Sequence, residues 1–159
     1  MTTKSSGKGD GTKLIVANKR ARYDYFIDDT YEAGIVLTGT EVKSLRGGKA
    51  SLAEAWVRID DGGQAWLMQA HIAEYPHGNI NNHHPTRERK LLLHRHQLDR
   101  LAKGTAEKGY GIVPMRLYFR QGKAKLEIGL GRGKAEHDKR QSLKEKQAKR
   151  EIDRALKQR

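Results

Sequence analysis

The sequence predicts a mostly β domain with short flanking helices and a basic C-terminal tail. Three observations carry this: period-two alternation of apolar side chains, Gly-bearing turns joining the alternating segments, and an abrupt change of composition at Arg132. Alternation of this kind is what a strand shows when one face of its sheet is buried.

Residues 1–13 carry Gly, Ser, Thr and Lys with no apolar run, and read as a flexible solvated arm rather than a signal peptide. Arg22 to Ile27 and Ile35 to Thr38 are strand candidates. Thr40 to Arg46 reads as a short helix capped by its own threonine and ended by Gly47 and Gly48. A strand near Trp56 to Ile59 and one starting at Trp66 flank Asp60, Asp61, Gly62 and Gly63, which form a hairpin signal. Between Arg87 and Lys103 the pattern is divided. Leu98, Leu101 and Ala102 have helical spacing with Gly104 as a C′ residue, while Leu91, Leu92 and Leu93 fit a buried strand. Val113, Met115, Leu117 and Phe119 form one apolar row, and Ala124, Leu126, Ile128 and Leu130 form the next. Gln121, Gly122 and Lys123 join them as a hairpin. Five or six short strands with little core material point to a small closed or nearly closed barrel, although periodicity does not separate a barrel from a sandwich.

From Arg132 onward 28 residues hold 11 Lys or Arg against five Asp or Glu, and no aromatic residue. Beyond Gly133 there is neither Gly nor Pro, yet Leu143, Ala148, Ile152, Ala155 and Leu156 give only a thin apolar stripe. The expectation is a tail that is disordered or weakly helical until a partner orders it, against the alternative of a solvated helix lying on the domain.

Thirty-two Lys and Arg against 19 Asp and Glu leave a net charge of +13 in 159 residues, so a polyanion is the natural partner. Cysteine is absent, which excludes disulfides, thiolate catalysis and zinc fingers and fits a reducing, cytoplasmic setting. No stretch has the apolar length of a membrane helix. The seven histidines, including His83 with His84 and His94 with His96, lack the i,i+4 spacing of a helical metal site and are read as surface residues. A nuclease built on His83, His84 or His94 would need a general acid and base at one phosphate, and no such grouping is visible. No catalytic residue, metal or cofactor is expected. Gly129, Gly131 and Gly133 lack the order of a phosphate loop and are read as letting the last strand bend into the tail. Asn18, Lys19, Arg20 and Arg22 form a basic cluster just before Tyr23, Tyr25 and Phe26, combining phosphate-directed charge with rings able to stack on bases.

Five segments in order carry a family resemblance: NKRARYDY at 18–25, EAGIVLTGTEVKSLR at 32–46, RKLLLH at 89–94, VPMRLYFRQGKAKLEI at 113–128 and RGKAEHDKR at 132–140. Together they closely resemble the small protein B family, the bacterial tmRNA-binding proteins of trans-translation. The resemblance implies an OB-like antiparallel β-barrel of about six strands over residues 14–131. It implies binding to the tRNA-like domain of tmRNA and delivery of that RNA to ribosomes stalled without a stop codon. The tail, 132–159, is then expected to fold as a helix in the empty mRNA channel beside the decoding centre of the small subunit. The protein would act as a monomer with its RNA, away from membranes.

Carried over by position, Asn18, Lys19, Arg20, Arg22, Glu32, Leu92 and Lys125 match the family's tmRNA-binding residues. Lys134, His137, Asp138, Lys139 and Arg140 match its ribosome-binding tail. Two departures are visible: Ala135 stands where a second lysine is common, and Lys103 and Gly104 invert the usual order. The competing expectation is a ribosomal or initiation-type RNA-binding protein, which charge and a barrel fit equally well but which has no reason to carry GTEVKSLR and the tail motif together.

Overall fold

A computed structural model describes residues 11–158, so residues 1–10 of the expected N-terminal arm lie outside the described residues. Among the described residues nine strands and four α-helices follow one another as β1 Thr12–Ala17, α1 Ala21–Asp24, β2 Tyr25–Ile35, α2 Gly39–Arg46, β3 Ala50–Ser51, β4 Trp56–Ile59, β5 Ala65–Met68, β6 His71–Ile72, β7 Arg89–Leu92, α3 Arg95–Thr105, β8 Tyr110–Arg120, β9 Lys123–Gly133 and α4 Glu136–Lys157. Six strands pair antiparallel in the order β8-β4-β5-β7-β2-β9, and β9 returns to pair with β8, so the ring has no free end. β1 pairs with the far half of β8, and β3 with β6 forms a separate ribbon.

The inside of the ring is filled by Ala33, Ile35, Val57, Ala65, Leu67, Leu91, Ile112, Leu117, Leu126, Ile128 and Leu130, all buried. Leu98 and Leu101 of α3 and Leu45 of α2 complete this core from outside the sheet. The two long strands do not keep one alternation throughout. A bulge between Pro114 and Arg116 shifts the phase of β8, so Ile112 and Leu117 join the main core while Val113 and Met115 face a second cluster with Ala21. The single apolar row expected from Val113 to Phe119 is therefore split across two faces. β2 shows the same device between Ile27 and Asp29, ahead of Tyr31, Ala33 and Ile35.

Both expected hairpins form. Gln121 and Gly122 join β8 to β9 with φ of 51° and 80°, a pair of left-handed conformations that suits a two-residue turn twisting with its strands. At Asp60 the carboxylate takes the N–H groups of Gly62 at 3.0 Å and Gln64 at 2.9 Å, and the Trp66 indole at 2.8 Å, holding the β4–β5 turn.

Several expectations need correction. Arg22 to Ile27 is not one strand: Ala21–Asp24 is a helical turn, because buried Ala21 anchors it to Val113 and Met115, and β2 then runs from Tyr25 to Ile35. Thr38, not Thr40, caps α2. Its hydroxyl accepts from Glu41 N, and Glu41 Oε1 accepts from Thr38 N at 2.8 Å, a reciprocal box that starts the helix at Gly39. Thr40 Oγ1 instead meets His83 Nδ1 at 2.9 Å, and His83 Nε2 meets the Ile72 carbonyl at 2.9 Å, so His83 is a buried strut rather than a surface residue. The divided segment 87–103 holds both elements, β7 and then α3. Gly104 lies inside that helix, not beyond it, and the position admits only glycine because a side chain there would overlap Leu130 of β9.

Gly129 and Gly131 serve close packing more than bending. A Cβ at Gly131 would overlap the Phe26 carbonyl oxygen where β2 crosses β9. The tail is helical, the form expected of it once ordered. Residues 136–157 form one continuous helix with no buried residue, consistent with a run of helix formers free of Gly and Pro. Among the described residues no helix is long and apolar enough to cross a membrane.

Candidate nucleic-acid interface

At Gly34 strand β2 lies between two partners, with Leu92 of β7 on one side and Lys125 of β9 on the other. Because Gly34 has no side chain, the surface dips there. A cleft of about 310 Å³ is lined by Glu32, Gly34, Leu92, Leu93, His94, Gln97 and Lys125. A neighbouring hollow shares Gly34, Leu92 and Lys125 and continues past Val42 to Lys123. Three residues far apart in sequence are thus gathered round one glycine. Leu92 is 54% exposed, an unusual setting for a leucine on a barrel strand, and it forms an apolar wall beside a lysine.

Glu32 is not a free carboxylate. It accepts the hydroxyl hydrogen of buried Tyr118 and pairs with Arg120 Nη1 at 3.0 Å. The guanidinium groups of Arg116 and Arg120 lie 4.8 and 5.8 Å from the centre of the Tyr118 ring. Burial, and then the Glu32 carboxylate, push the Tyr118 hydroxyl up to about 12, so it remains a proton donor at any physiological pH. Tyr118 therefore fixes the Glu32 side chain at the edge of the cleft while part of the carboxylate stays accessible.

The N-terminal basic cluster sits at the opposite end of β2. Tyr25 and Glu32 are seven positions apart, roughly 23 Å of strand. Asn18 is used structurally: its Nδ2 donates to Pro114 O at 3.0 Å and its Oδ1 accepts from Arg20 N at 3.2 Å, folding the segment onto β8. This leaves Lys19, Arg20 and Arg22 exposed on one knuckle. Arg20 bonds Asp24 at 3.4 Å and covers the Tyr23 ring.

The tail begins at this knuckle. Lys134 N donates to Asp24 O at 2.8 Å, and Lys139 Nζ reaches Asp24 Oδ1 at 3.4 Å. Asp138 Oδ2 accepts from Ala135 N at 3.2 Å, so the acidic residue of the HDKR segment helps start α4. Phe26 lies under Arg132 and Lys134, at 4.7 and 4.8 Å from its ring centre. Of the five expected tail residues, His137 and Arg140 are exposed, while Lys134, Asp138 and Lys139 are half-buried against the knuckle. Lys19, Arg22, Tyr23, Lys134, Leu143, Lys146 and Lys149 line a groove of about 350 Å³ where tail and knuckle meet.

The structure therefore sorts the sequence-derived residues into a cleft around Glu32, Leu92 and Lys125, and a cationic knuckle joined to the tail. Sequence reasoning missed Gly34, which makes the cleft, and Tyr118 with Arg120, which hold Glu32. Only the glycine inside EAGIVL offered a sign, as a small residue within a strand-like run.

A family model described as SmpB protein matches residues 15–158. The chain belongs to the SmpB family. It is 60% identical over 149 residues to the SsrA-binding protein of Bifidobacterium longum (strain DJO10A), covering 94% of each chain. Against the SsrA-binding protein of Streptomyces avermitilis it is 60% identical over 154 residues, covering 96% of this chain and 86% of the other. Against that of Oceanobacillus iheyensis it is 55% identical over 150 residues, covering 94% and 96%. A solved chain from a structure described as "tmRNA-SmpB: a journey to the center of the bacterial ribosome" superposes with a TM-score of 0.65 at 46% identity, covering 80% of this chain and 93% of that one. Family membership accounts for the whole barrel and the tail together, since the matched span crosses Arg132 without interruption.

Proposed function

We propose that this SmpB-family chain binds the tRNA-like domain of tmRNA and carries it to ribosomes stalled without a stop codon, enabling peptide tagging and ribosome rescue. The observation that carries the reading is the gathering of Glu32, Leu92 and Lys125 round one cleft, in a chain whose relatives are SsrA-binding proteins. It is a binding protein, not an enzyme, and its work is to position RNA.

Each side chain has a physical task. Lys125 neutralises a phosphate beside the cleft, exposed Leu92 packs on an unpaired base, and Glu32 accepts a hydrogen bond from a base edge or a 2′-hydroxyl. At the other end of β2, Lys19, Arg20 and Arg22 hold the backbone of the same RNA, with Asn18 shaping the segment. Residues 14–131 form the gripping unit and stand where the anticodon arm of a tRNA would lie. Residues 132–159 act at the small subunit: the helix, roughly 33 Å long at 1.5 Å per residue, fits along the empty mRNA channel. There Lys134, Lys139 and Arg140 meet rRNA phosphates, and His137 stacks on a base of the decoding centre. Asp138 supports that helix at its start. A ribosome-directed protein of this kind works in the cytoplasm.

Sequencing the RNA that co-purifies with the tagged protein tests the reading. Strong enrichment of tmRNA is expected. Enrichment of mRNA or bulk tRNA would contradict it and favour a ribosomal or initiation-type binder.

A further inference from the structure

Trp56 is 45% exposed at the start of β4, although an indole is among the costliest side chains to leave in water. Its position is fixed. Leu52 is buried, the turn after it closes through Ala55 N to Leu52 O at 3.1 Å, and Val57 enters the core next to Trp56. Period-two alternation then sends Trp56 outward. The ring of strands is thinnest at this point, where β4 and β8 share a single register pair, Val57 with Ile112. A cleft of about 210 Å³ opens along that seam. Ala21, Ile112 and Val113 lie on its apolar side, Trp56 and Tyr25 contribute rings, and Arg20, Asp24 and Glu54 line it with charge.

The two carboxylates are not equivalent. Asp24 is taken up by Arg20 and Lys139, whereas Glu54 has no ion pair or side-chain hydrogen bond among the described residues. An unpaired carboxylate in a protein of net charge +13, beside an exposed indole and an arginine of the basic knuckle, is poorly suited to phosphate. It is well suited to a base edge that presents donors.

We infer that the Trp56 cleft takes one unpaired guanine of the bound RNA. The indole would stack on the base, Glu54 would accept from guanine N1–H and the 2-amino group, and Arg20 would hold the adjoining phosphate. Guanine is the base whose Watson–Crick edge offers two adjacent donors to one carboxylate. Adenine offers a single amino group beside an acceptor, which a carboxylate repels. The inference rests on the RNA-binding reading above and adds a second, base-selective contact some distance from the Glu32 cleft.

The experiment uses the full chain carrying W66F, so that Trp56 is the sole tryptophan, with the single-stranded pentaribonucleotides UUGUU, UUAUU and UUUUU as probes. Stacking should quench Trp56 emission, and UUGUU should half-saturate the change at about tenfold lower concentration than UUAUU, the worth of one charge-assisted hydrogen bond. Adding E54Q should leave quenching in place while removing the preference for guanine. Equal quenching by all three RNAs, or a preference that survives E54Q, would overturn the inference. Filter binding of a tRNA-like hairpin RNA in the same samples separates the two levels. If that RNA binds while Trp56 emission does not change, the cleft is wrongly assigned and the RNA-binding reading stands; if no RNA binds, both fail.

Discussion

Arg89 donates from Nε to Glu41 Oε2 at 2.6 Å, and neither side chain reaches solvent. Arg87 adds Nη2 to Glu41 Oε1 at 2.6 Å, and Arg89 also donates to Ala70 O at 2.8 Å and Pro85 O at 3.0 Å. One carboxylate thus starts α2 through Thr38 and ties it to β7, the strand that carries Leu92. Glu41→Ala would leave the Arg89 charge buried without a counterion, and a loss of about 3–5 kcal/mol is expected. Urea unfolding followed by circular dichroism measures it; a loss below about 1 kcal/mol would show that Arg89 finds other partners.

The same site sets an acid limit. Burial pushes the Glu41 carboxyl up, but hydrogen bonds from Arg87, the Thr38 N–H and Arg89 outweigh it and hold the group down from 4.5 to about 2. The folded state thus favours the charged carboxylate. Its stabilisation is complete above pH 4.5 and is lost as the pH falls from there through about 2. Thermal midpoints of the wild type should drop across that window more steeply than those of Glu41→Gln, which has no proton to gain. Parallel curves would contradict the assignment.

Glu32→Ala removes a negative charge from an already basic protein, so simple electrostatics predicts tighter RNA binding. The opposite is expected. On the proposed reading, losing the carboxylate removes an acceptor for RNA; it also leaves the buried Tyr118 hydroxyl and Arg120 without their partner, and tmRNA affinity should fall by about tenfold. Filter binding checks the sign, with circular dichroism to confirm the fold; unchanged or improved affinity would remove Glu32 from the interface.

Gly131→Ala should destabilise the barrel by about 3 kcal/mol, because the new Cβ meets the Phe26 backbone, which cannot step aside without parting β2 from β9. Gly39→Ala is the matched control, having nothing within 4 Å of its Cβ position, and should stay within about 0.5 kcal/mol of wild type. Equal unfolding midpoints for the two variants would show that the crossing is looser than drawn.

What the sequence revealed of this fold was local. The β8–β9 and β4–β5 hairpins were legible because Gln121-Gly122 and Asp60-Asp61-Gly62-Gly63 fix their own turns, and the Leu126 to Leu130 row needs only period two. The bulges after Ile27 and Pro114 were not legible, since one extra residue reverses the facing of every residue beyond it and leaves no mark in composition. The Glu41–Arg89 pair, 48 positions apart, and the helical turn at Ala21 depend on which strands meet in space. The residues round the Glu32 cleft came from family resemblance, whereas the reason they meet, Gly34 between Leu92 and Lys125, came only from strand register. The helix of the tail is legible in a run of strong helix formers without Gly or Pro, whereas its anchoring at Asp24 depends on which elements meet in space.

The central claim is that gripping the RNA and acting at the ribosome belong to different parts of one chain. A protein ending at Gly133, and a full-length variant with Asp138, Lys139 and Arg140 changed to alanine, test it directly. Each should bind the tRNA-like domain within about threefold of wild type, with affinity still falling steeply between roughly 50 and 200 mM salt as phosphate contacts are screened. Neither should support peptide tagging on stalled ribosomes in a reconstituted translation system. The deciding measurement is tmRNA affinity set beside tagging yield for the same preparations: retained affinity with lost tagging is predicted, whereas tagging by the tailless chain, or affinity that falls as far as tagging does, would contradict the account.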